Sequence, residues 1–355
     1  MKISTRVLAA LMALGVCAFA AGCGQEQKVV DPKGAEVIQK VTNAPVREEF
    51  APVGEIKEGR KNVYAVVKTL KNSYWQEVAE GLKAGAKEAD VNLYLGAALR
   101  EIDWQTQTDM LKELSNKKVD AVIMAPTDST KMVAAAQEFK AKKIPVILLD
   151  TPLNSKDYDA SFMTNNAAAG MKAGEEMVKM LKKAGAKDNE ELVVRIQLSN
   201  QSSNTLMDRL DGLNSYWNEK APKAWKLNKM LLVDQGDRDV ARKNTEKALK
   251  TDKVRGIVTL NNRPTVAAVE SIQKANRKDV VLVGFDYAPG TAKFIAAPDY
   301  VGATIVQNQY KMAFEAVKAA KAITNGDKVA TKDVDTGIVV VDENNQKEYE
   351  ASLKK

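Results

Sequence analysis

NVYAVVKTLKNSYWQEVAEGL, residues Asn62–Leu82, decides the fold. Val63-Tyr-Ala-Val-Val67 is an apolar, β-branched run of the kind buried on both faces of a parallel sheet. After a short loop, Val78, Ala79, Leu82 and Ala86 recur at helical spacing, so a helix is expected over Ser73–Ala89. In a strand–loop–helix unit of this kind, a ligand belongs at the carboxyl end of the strand. The loop brings Lys68 and Asn72 to that point, followed by two adjacent aromatics, Tyr74 and Trp75.

The same unit repeats along the chain. Strands are expected at Val91–Leu95, Ala121–Met124 and Val146–Leu149, separated by helices at Trp104–Asn116 and Ser129–Ala141. A second series begins after Phe162-Met-Thr-Asn165, with helices at Ala167–Lys182, Thr205–Asn218, Val240–Leu249 and Thr265–Ala275. Its strands are Leu192–Leu198, Met230–Val233, Gly256–Leu260 and Val280–Phe285. The tail adds strand Val301–Ile305, helix Tyr310–Thr324, strand Thr336–Val341 and a short charged end. Serial βα units imply an α/β fold, with parallel sheets covered by helices on both faces.

A chain of 355 residues has room for two domains, and its 45% hydrophobic and 28% charged content is ordinary for a globular protein. There is no histidine, which removes the commonest general base and the commonest metal ligand. No glycine-rich phosphate loop, G-x-S-x-G or cysteine pair is present. Ser115-Asn-Lys-Lys118 fits S-x-x-K, but it lies at a helix end without companion motifs. Asp234, Asp237 and Asp239 crowd one loop without calcium-loop spacing, and Asp239 is the expected N-cap of the next helix. No enzyme, cofactor or metal site is expected.

Residues 1–22 read as an export leader: Lys2 and Arg6 precede the apolar Val7–Ala20, and Ala20-Ala-Gly-Cys23 closes it. The apolar stretch is short for a membrane span. Small residues ending in cysteine resemble a bacterial lipoprotein signal, which implies lipidation at Cys23 and an extracytoplasmic, membrane-anchored protein. Residues 23–59, polar and containing Pro32, Pro45 and Pro52, read as a tether. Losing the two leader cations takes the formal charge from +7 to +5. The remaining charges are mixed along the helices, as a solvated surface is; no nucleic-acid partner is expected.

From Asn62 to Val341 the chain resembles the periplasmic sugar-binding proteins of the ribose, arabinose and galactose type, the binding components of ABC importers. The resemblance rests on the order and spacing of Val66–Trp75 (VVKTLKNSYW), Ala125-Pro-Thr-Asp-Ser129, Ile144-Pro-Val-Ile-Leu-Leu-Asp150, Asp208-Arg-Leu-Asp-Gly212, Leu260-Asn-Asn262, Val283-Gly-Phe-Asp286 and Ala303-Thr-Ile-Val-Gln307. It implies two doubly wound lobes joined by three crossings near Asn165, Gln307 and Asp333, closing around a ligand by hinge motion. The lobes would comprise residues 60–164 with 307–334, and 165–306 with 335–355. The partners implied are a sugar ligand and the membrane subunits of an ABC permease, and the protein is expected to act as a monomer.

The resemblance also assigns the ligand site. Tyr74 and Trp75 cover the apolar face of a sugar ring; for one of the two, helix-to-sheet packing is the alternative. Asp150 and Asp286 end their strands as hydroxyl acceptors, with a turn role as the competing reading. Asn261 or Asn262 supplies an amide, and Gln307 matches the glutamine near the second crossing. Some family members carry asparagine at Ala125 and arginine at Thr151 and Met207; those departures argue against a plain ribose site. Arg209 either approaches the pocket or forms a salt bridge within its lobe. Lys68 matches a lysine of arabinose-type and furanosyl-signal binders, the alternative being a solvated lysine. Trp104 is a weaker candidate at the cleft rim. A sensory receptor for a sugar or quorum signal is the competing function. A repressor-type regulator shares the fold but needs a DNA-binding segment where this chain has its leader and tether.

Overall fold

The computed structural model describes residues 26–30, 36–40, 47–251 and 253–353. The chain divides into two compact units, Met1–Pro45 and Val46–Lys355. In the first, β1 (Glu26–Val30) and β2 (Glu36–Lys40) form an antiparallel pair, with Glu26 opposite Lys40. The leader and Cys23 lie outside the described residues.

The second unit opens with β3 (Arg47–Val53), β4 (Asn62–Val67), α1 (Ser73–Glu88), β5 (Asn92–Ala98), α2 (Trp104–Glu113), β6 (Ala121–Met124), α3 (Val133–Ala141), β7 (Val146–Leu149) and β8 (Ala160–Met163). The residues after β8 form α4 (Asn166–Lys183), β9 (Leu192–Leu198), α5 (Asn204–Lys220), β10 (Trp225–Leu227), β11 (Leu232–Val233), α6 (Arg238–Leu249) and β12 (Val254–Thr259). They continue through α7 (Asn262–Lys274), β13 (Val281–Phe285), α8 (Pro289–Ala296) and β14 (Gly302–Gln307). The tail is α9 (Gln309–Thr324), β15 (Asp333–Asp335), β16 (Ile338–Val341) and α10 (Gln346–Ser352).

Two sheets result. The first runs β15-β8-β7-β6-β4-β5-β3 and the second β10-β9-β12-β13-β14-β16, with β11 also on β9. All pairings within these sheets are parallel except β3 on β5 and β16 on β14. Alternation along β4 feeds two cores. Val63, Ala65 and Val67 pack with α1 and α9, whereas Tyr64 and Val66 pack with α2 and α3. The second sheet is covered by α4 and α5 on one face and by α7 and α8 on the other. The chain passes between the sheets three times: after Met163, after Gln307 and after Asp335.

Local chemistry explains where the elements differ from expectation. Arg47–Val53, within the expected tether, is an edge strand whose Phe50 ring meets Tyr64 edge-on at 5.4 Å. Its glutamates and Pro52 suit an exposed edge, which is why it carries little hydrophobic signal. Helix α3 begins at Val133 rather than Ser129, because the Asp128 carboxylate accepts from the amides of Thr130 and Lys131 in a turn. The cap of α6 is Asp237, which accepts from the Asp239 and Val240 amides; Asp239 sits in the first turn. The expected strand Thr336–Val341 is realised as β16 from Ile338; Gly337, at φ +80°, turns the chain between it and β15, an unexpected strand of the first sheet.

Candidate functional site

The carboxyl ends of β4, β5 and β7 in one lobe face those of β9, β12 and β13 in the other. Between them lies a cavity of about 410 Å³, solvent at its mouth included. Lys68, Tyr74, Trp75, Glu101 and Asp150 line it from the first lobe. Asn200, Ser203, Thr205, Leu206 and Arg209, with Asn261, Asn262 and Asp286, line it from the second; Gln307 stands at a crossing. Hydrogen bonds join the two sides. Thr205 Oγ1 donates to the Asp150 carbonyl at 3.0 Å, Ser73 Oγ to the Tyr287 carbonyl at 3.3 Å, and Arg100 to the Gln235 carbonyl at 3.1 Å. The structure is therefore closed around its cavity.

Asp150 and Asp286 occupy equivalent places. Each ends a strand at φ +66°, and each backbone N–H donates to the next strand, Asp150 to Phe162 O at 3.0 Å and Asp286 to Ile305 O at 2.9 Å. A left-handed backbone is costly for most residues and tolerated better by aspartate; here it turns the side chain at the strand end.

Their electrostatics differ. Asp150 accepts from Lys68 Nζ at 2.9 Å, Tyr74 OH at 2.6 Å and Thr151 Oγ1 at 2.6 Å, and Lys68 also donates to Thr151 Oγ1 at 2.6 Å. Burial alone would push the Asp150 carboxyl up, but the Lys68 ammonium and the two hydroxyls hold it below its ordinary value. Burial, reinforced by the Asp150 charge, drives the Tyr74 phenol well above its usual range. The Asp286 carboxyl has one hydrogen-bond partner among the described residues, Gln307 Nε2 at 2.8 Å on Oδ1. Burial raises its pKa to about 7; Arg209 and Gln307 pull it down, and the charges of Asp150 and Glu101 push it up. Gln307 Oε1 accepts from Thr164 Oγ1 at 3.1 Å, linking Asp286 to two of the crossings.

Arg209 is buried on α5 and forms no salt bridge among the described residues. Its Nε donates to Asn166 Oδ1 at 2.9 Å and its Nη1 to the Leu260 carbonyl at 2.7 Å, while the guanidinium lies 4.2 Å from the centre of the Phe285 ring. Desolvation lowers its pKa, opposed by Asp286 and Asp150. Among the described residues its Nη2 has no hydrogen-bond partner, nor have Asn262 Nδ2 and Ser203 Oγ, all three on buried residues lining the cavity. Burying donors without acceptors is costly, and these atoms can accept a partner that brings oxygens into the cavity. The alternative of an Arg209 salt bridge is thereby corrected.

Nine of the ten expected site residues line the cavity. Asn72 does not: its Oδ1 caps α1 by accepting from Trp75 N, and its Nδ2 donates to Glu101 Oε1 at 2.6 Å. Trp104 does not line it either and packs in the first lobe, with Lys131 Nζ 4.5 Å from its ring centre. Lys68 is buried, not solvated, and its ammonium lies 5.7 Å from the centre of the Trp75 ring. Asn261 is held by Ser199, accepting from its N at 3.2 Å and donating to its Oγ at 2.6 Å. Sequence reasoning missed Glu101, Asn200, Ser203, Thr205 and Leu206. The signal available for Glu101 and Asn200 was their place just beyond the carboxyl ends of β5 and β9.

The family model described as a periplasmic binding protein domain matches residues 63–328, and the chain belongs to that family. It is a family of extracytoplasmic solute-binding proteins, and the protein is not an enzyme. The D-allose-binding periplasmic protein of Escherichia coli is 25% identical over 284 residues, covering 73% of this chain and 86% of its own. The ribose import binding protein of Salmonella typhimurium is 27% identical over 291 residues, covering 79% and 91%. An ABC transporter solute binding protein from Agrobacterium vitis with bound D-fucose superposes with a TM-score of 0.73 at 26% identity, covering 82% and 98%. A carbohydrate transporter solute binding protein from Agrobacterium radiobacter, in complex with D-arabinose, gives 0.78 at 23% identity, covering 84% and 99%; it shows the shared fold.

Proposed function

We propose that the protein is an extracytoplasmic solute-binding lipoprotein, anchored through Cys23 and acting as a monomer. It captures a monosaccharide or closely related polyol between its lobes and delivers it to the membrane subunits of an ABC importer. One observation carries the reading: three buried donors without partners, on Arg209, Asn262 and Ser203, share a cavity with Asp286, a carboxylate held by a single side chain. A polyhydroxylated ligand complements that set, because each hydroxyl both donates and accepts. Tyr74 and Trp75 offer apolar ring surface at the same wall. Relatives named for D-allose, ribose and xylitol support a ligand of this size and chemistry.

Lys68 and Asp150 form a preorganised pair in this account, with Asp286, Arg209, Asn261 and Asn262 contacting the ligand directly. Gln307 orients Asp286. Micromolar affinity corresponds to about −8 kcal/mol, within reach of a ligand of this size. A thermal-shift panel of aldoses, polyols, sugar acids and nucleosides tests the reading. At about 100 times its Kd a ligand contributes about 2.7 kcal/mol, enough to raise the Tm of a chain of this length by about 4 °C. If no sugar or polyol moves the Tm, the reading fails.

A further inference from the structure

Glu101 stands just past β5 and lines the cavity, with no lysine or arginine within ion-pair distance among the described residues. Its Oε1 accepts from Asn72 Nδ2 at 2.6 Å and from Trp75 Nε1 at 3.3 Å. Its Oε2 lies 3.4 Å from Asn261 Nδ2 of the opposite lobe, a long contact for an amide whose stronger bond, at 2.6 Å, goes to Ser199 Oγ. Only 8% of its surface is exposed. Among the described residues no lysine or arginine forms an ion pair with it. A buried carboxylate with neutral partners alone retains most of its field.

The other charges around the cavity do not cancel it. Lys68 is engaged by Asp150, and Arg209 is flanked by Asp286 and Asp150, both of which act on its guanidinium. Three carboxylates thus face two cations across a small space, in a chain whose formal charge is +7. The Glu101 charge is felt on both sides. It adds to the upward push on Asp286 and on Asp234, a buried aspartate just after β11 on which the Arg263 charge acts the other way.

We propose that Glu101 sets the charge preference of the cavity, so that the site takes uncharged sugars and polyols and rejects those bearing a carboxylate or phosphate. This rests on the function proposed above and narrows it. Glu101 also joins the N-cap of α1, the Trp75 indole and the second lobe's Asn261, so it reads the ligand at the point where the lobes meet. An acidic ligand reaching Arg209 Nη2 meets the field of Asp286 and Glu101 at once, and like-charge juxtaposition in a desolvated site is a strong penalty.

Calorimetry at pH 7.5 decides it, with the neutral sugar that most stabilises the protein and the aldonic or uronic acid of the same carbon skeleton. The native protein should bind the neutral form at least about tenfold more tightly. Glu101→Gln keeps an acceptor for Asn72 and Trp75 and removes the charge. It should shrink the neutral-to-acid affinity ratio by about tenfold or more, whatever it does to the neutral affinity itself. Glu101→Asp, which keeps the charge, should preserve the ratio and stands in if the glutamine variant does not fold. Equal affinity of the native protein for both ligands overturns the inference and leaves the sugar-binding function standing. So does a fall of both affinities by one factor in Glu101→Gln, which would mark a structural role alone. Binding of neither ligand removes the function and the inference together.

Discussion

Asp150 and Asp286 share a backbone conformation, a strand-end position and near-complete burial, yet they carry opposite electrostatic histories. The difference lies in what arrives within 3 Å. Lys68, Tyr74 and Thr151 converge on Asp150, whereas Arg209, the nearest cation to Asp286, spends its Nε and Nη1 on Asn166 and Leu260. Strand-end position was readable in the sequence because apolar runs ending in aspartate stand out. The partners were not, because they come from residues 82 and 76 positions away along the chain. Burial raises Asp286 to about 7, above the value of about 3.9 expected in an unfolded chain. At this group the native state therefore holds more protons, and the stability Asp286 contributes to the ligand-free protein is lost as pH rises from about 4 to about 7. Asp286→Asn cannot ionise, so the variant should melt several degrees above the native protein at pH 8.5, with the gap closing by pH 4.5. Asp234, raised to about 7 as well, is present in both proteins and drops out of the comparison. An identical gap at the two pH values would show that Asp286 is not the titrating group.

At the scale of elements, the long βα units were legible and the short pieces were not. Helices α1, α4 and α5 carry full apolar periods, whereas β10 has three residues and α8 begins at Pro289 without a polar cap. Close helix packing was also hidden, although its glycines were in view. A Cβ on Gly212 of α5 would lie 2.0 Å from the Ala167 carbonyl of α4, and one on Gly170 of α4 would lie 2.0 Å from the Arg209 carbonyl. The two helices touch backbone to backbone there, which seats Arg209 beneath the cavity. The first lobe repeats the device, with Gly81 and Gly85 of α1 against the Tyr310 and Phe314 carbonyls of α9. Gly212→Ala must push α4 and α5 apart, at a cost of about 1–3 kcal/mol, and should lower the Tm measurably. It should weaken sugar binding as well, since Arg209 moves with α5. A variant as stable as the native protein would mean that the helices accommodate the methyl group without separating.

For the whole molecule, two serial sets of βα units were enough to expect two halves built on parallel sheets; the doubly wound lobes and their three crossings came from resemblance to a family, not from periodicity. The cavity between the lobes depends on both, which is why most of its lining was anticipated strand end by strand end while Glu101 and the loop residues of α5 were not. The closed arrangement joins the ligand site to the crossings through Asp286, Gln307 and Thr164, so a ligand seated on Asp286 acts on the hinge through two hydrogen bonds. Closure is driven only if the closed form binds the ligand better than the open one. Titration calorimetry of the best neutral sugar against the native protein and Asp286→Ala tests this account most directly. It predicts one ligand per chain with micromolar or tighter affinity, weakened at least about tenfold in the variant while its far-UV spectrum is unchanged. Equal affinity in the two proteins, or no sugar bound by either, would contradict it.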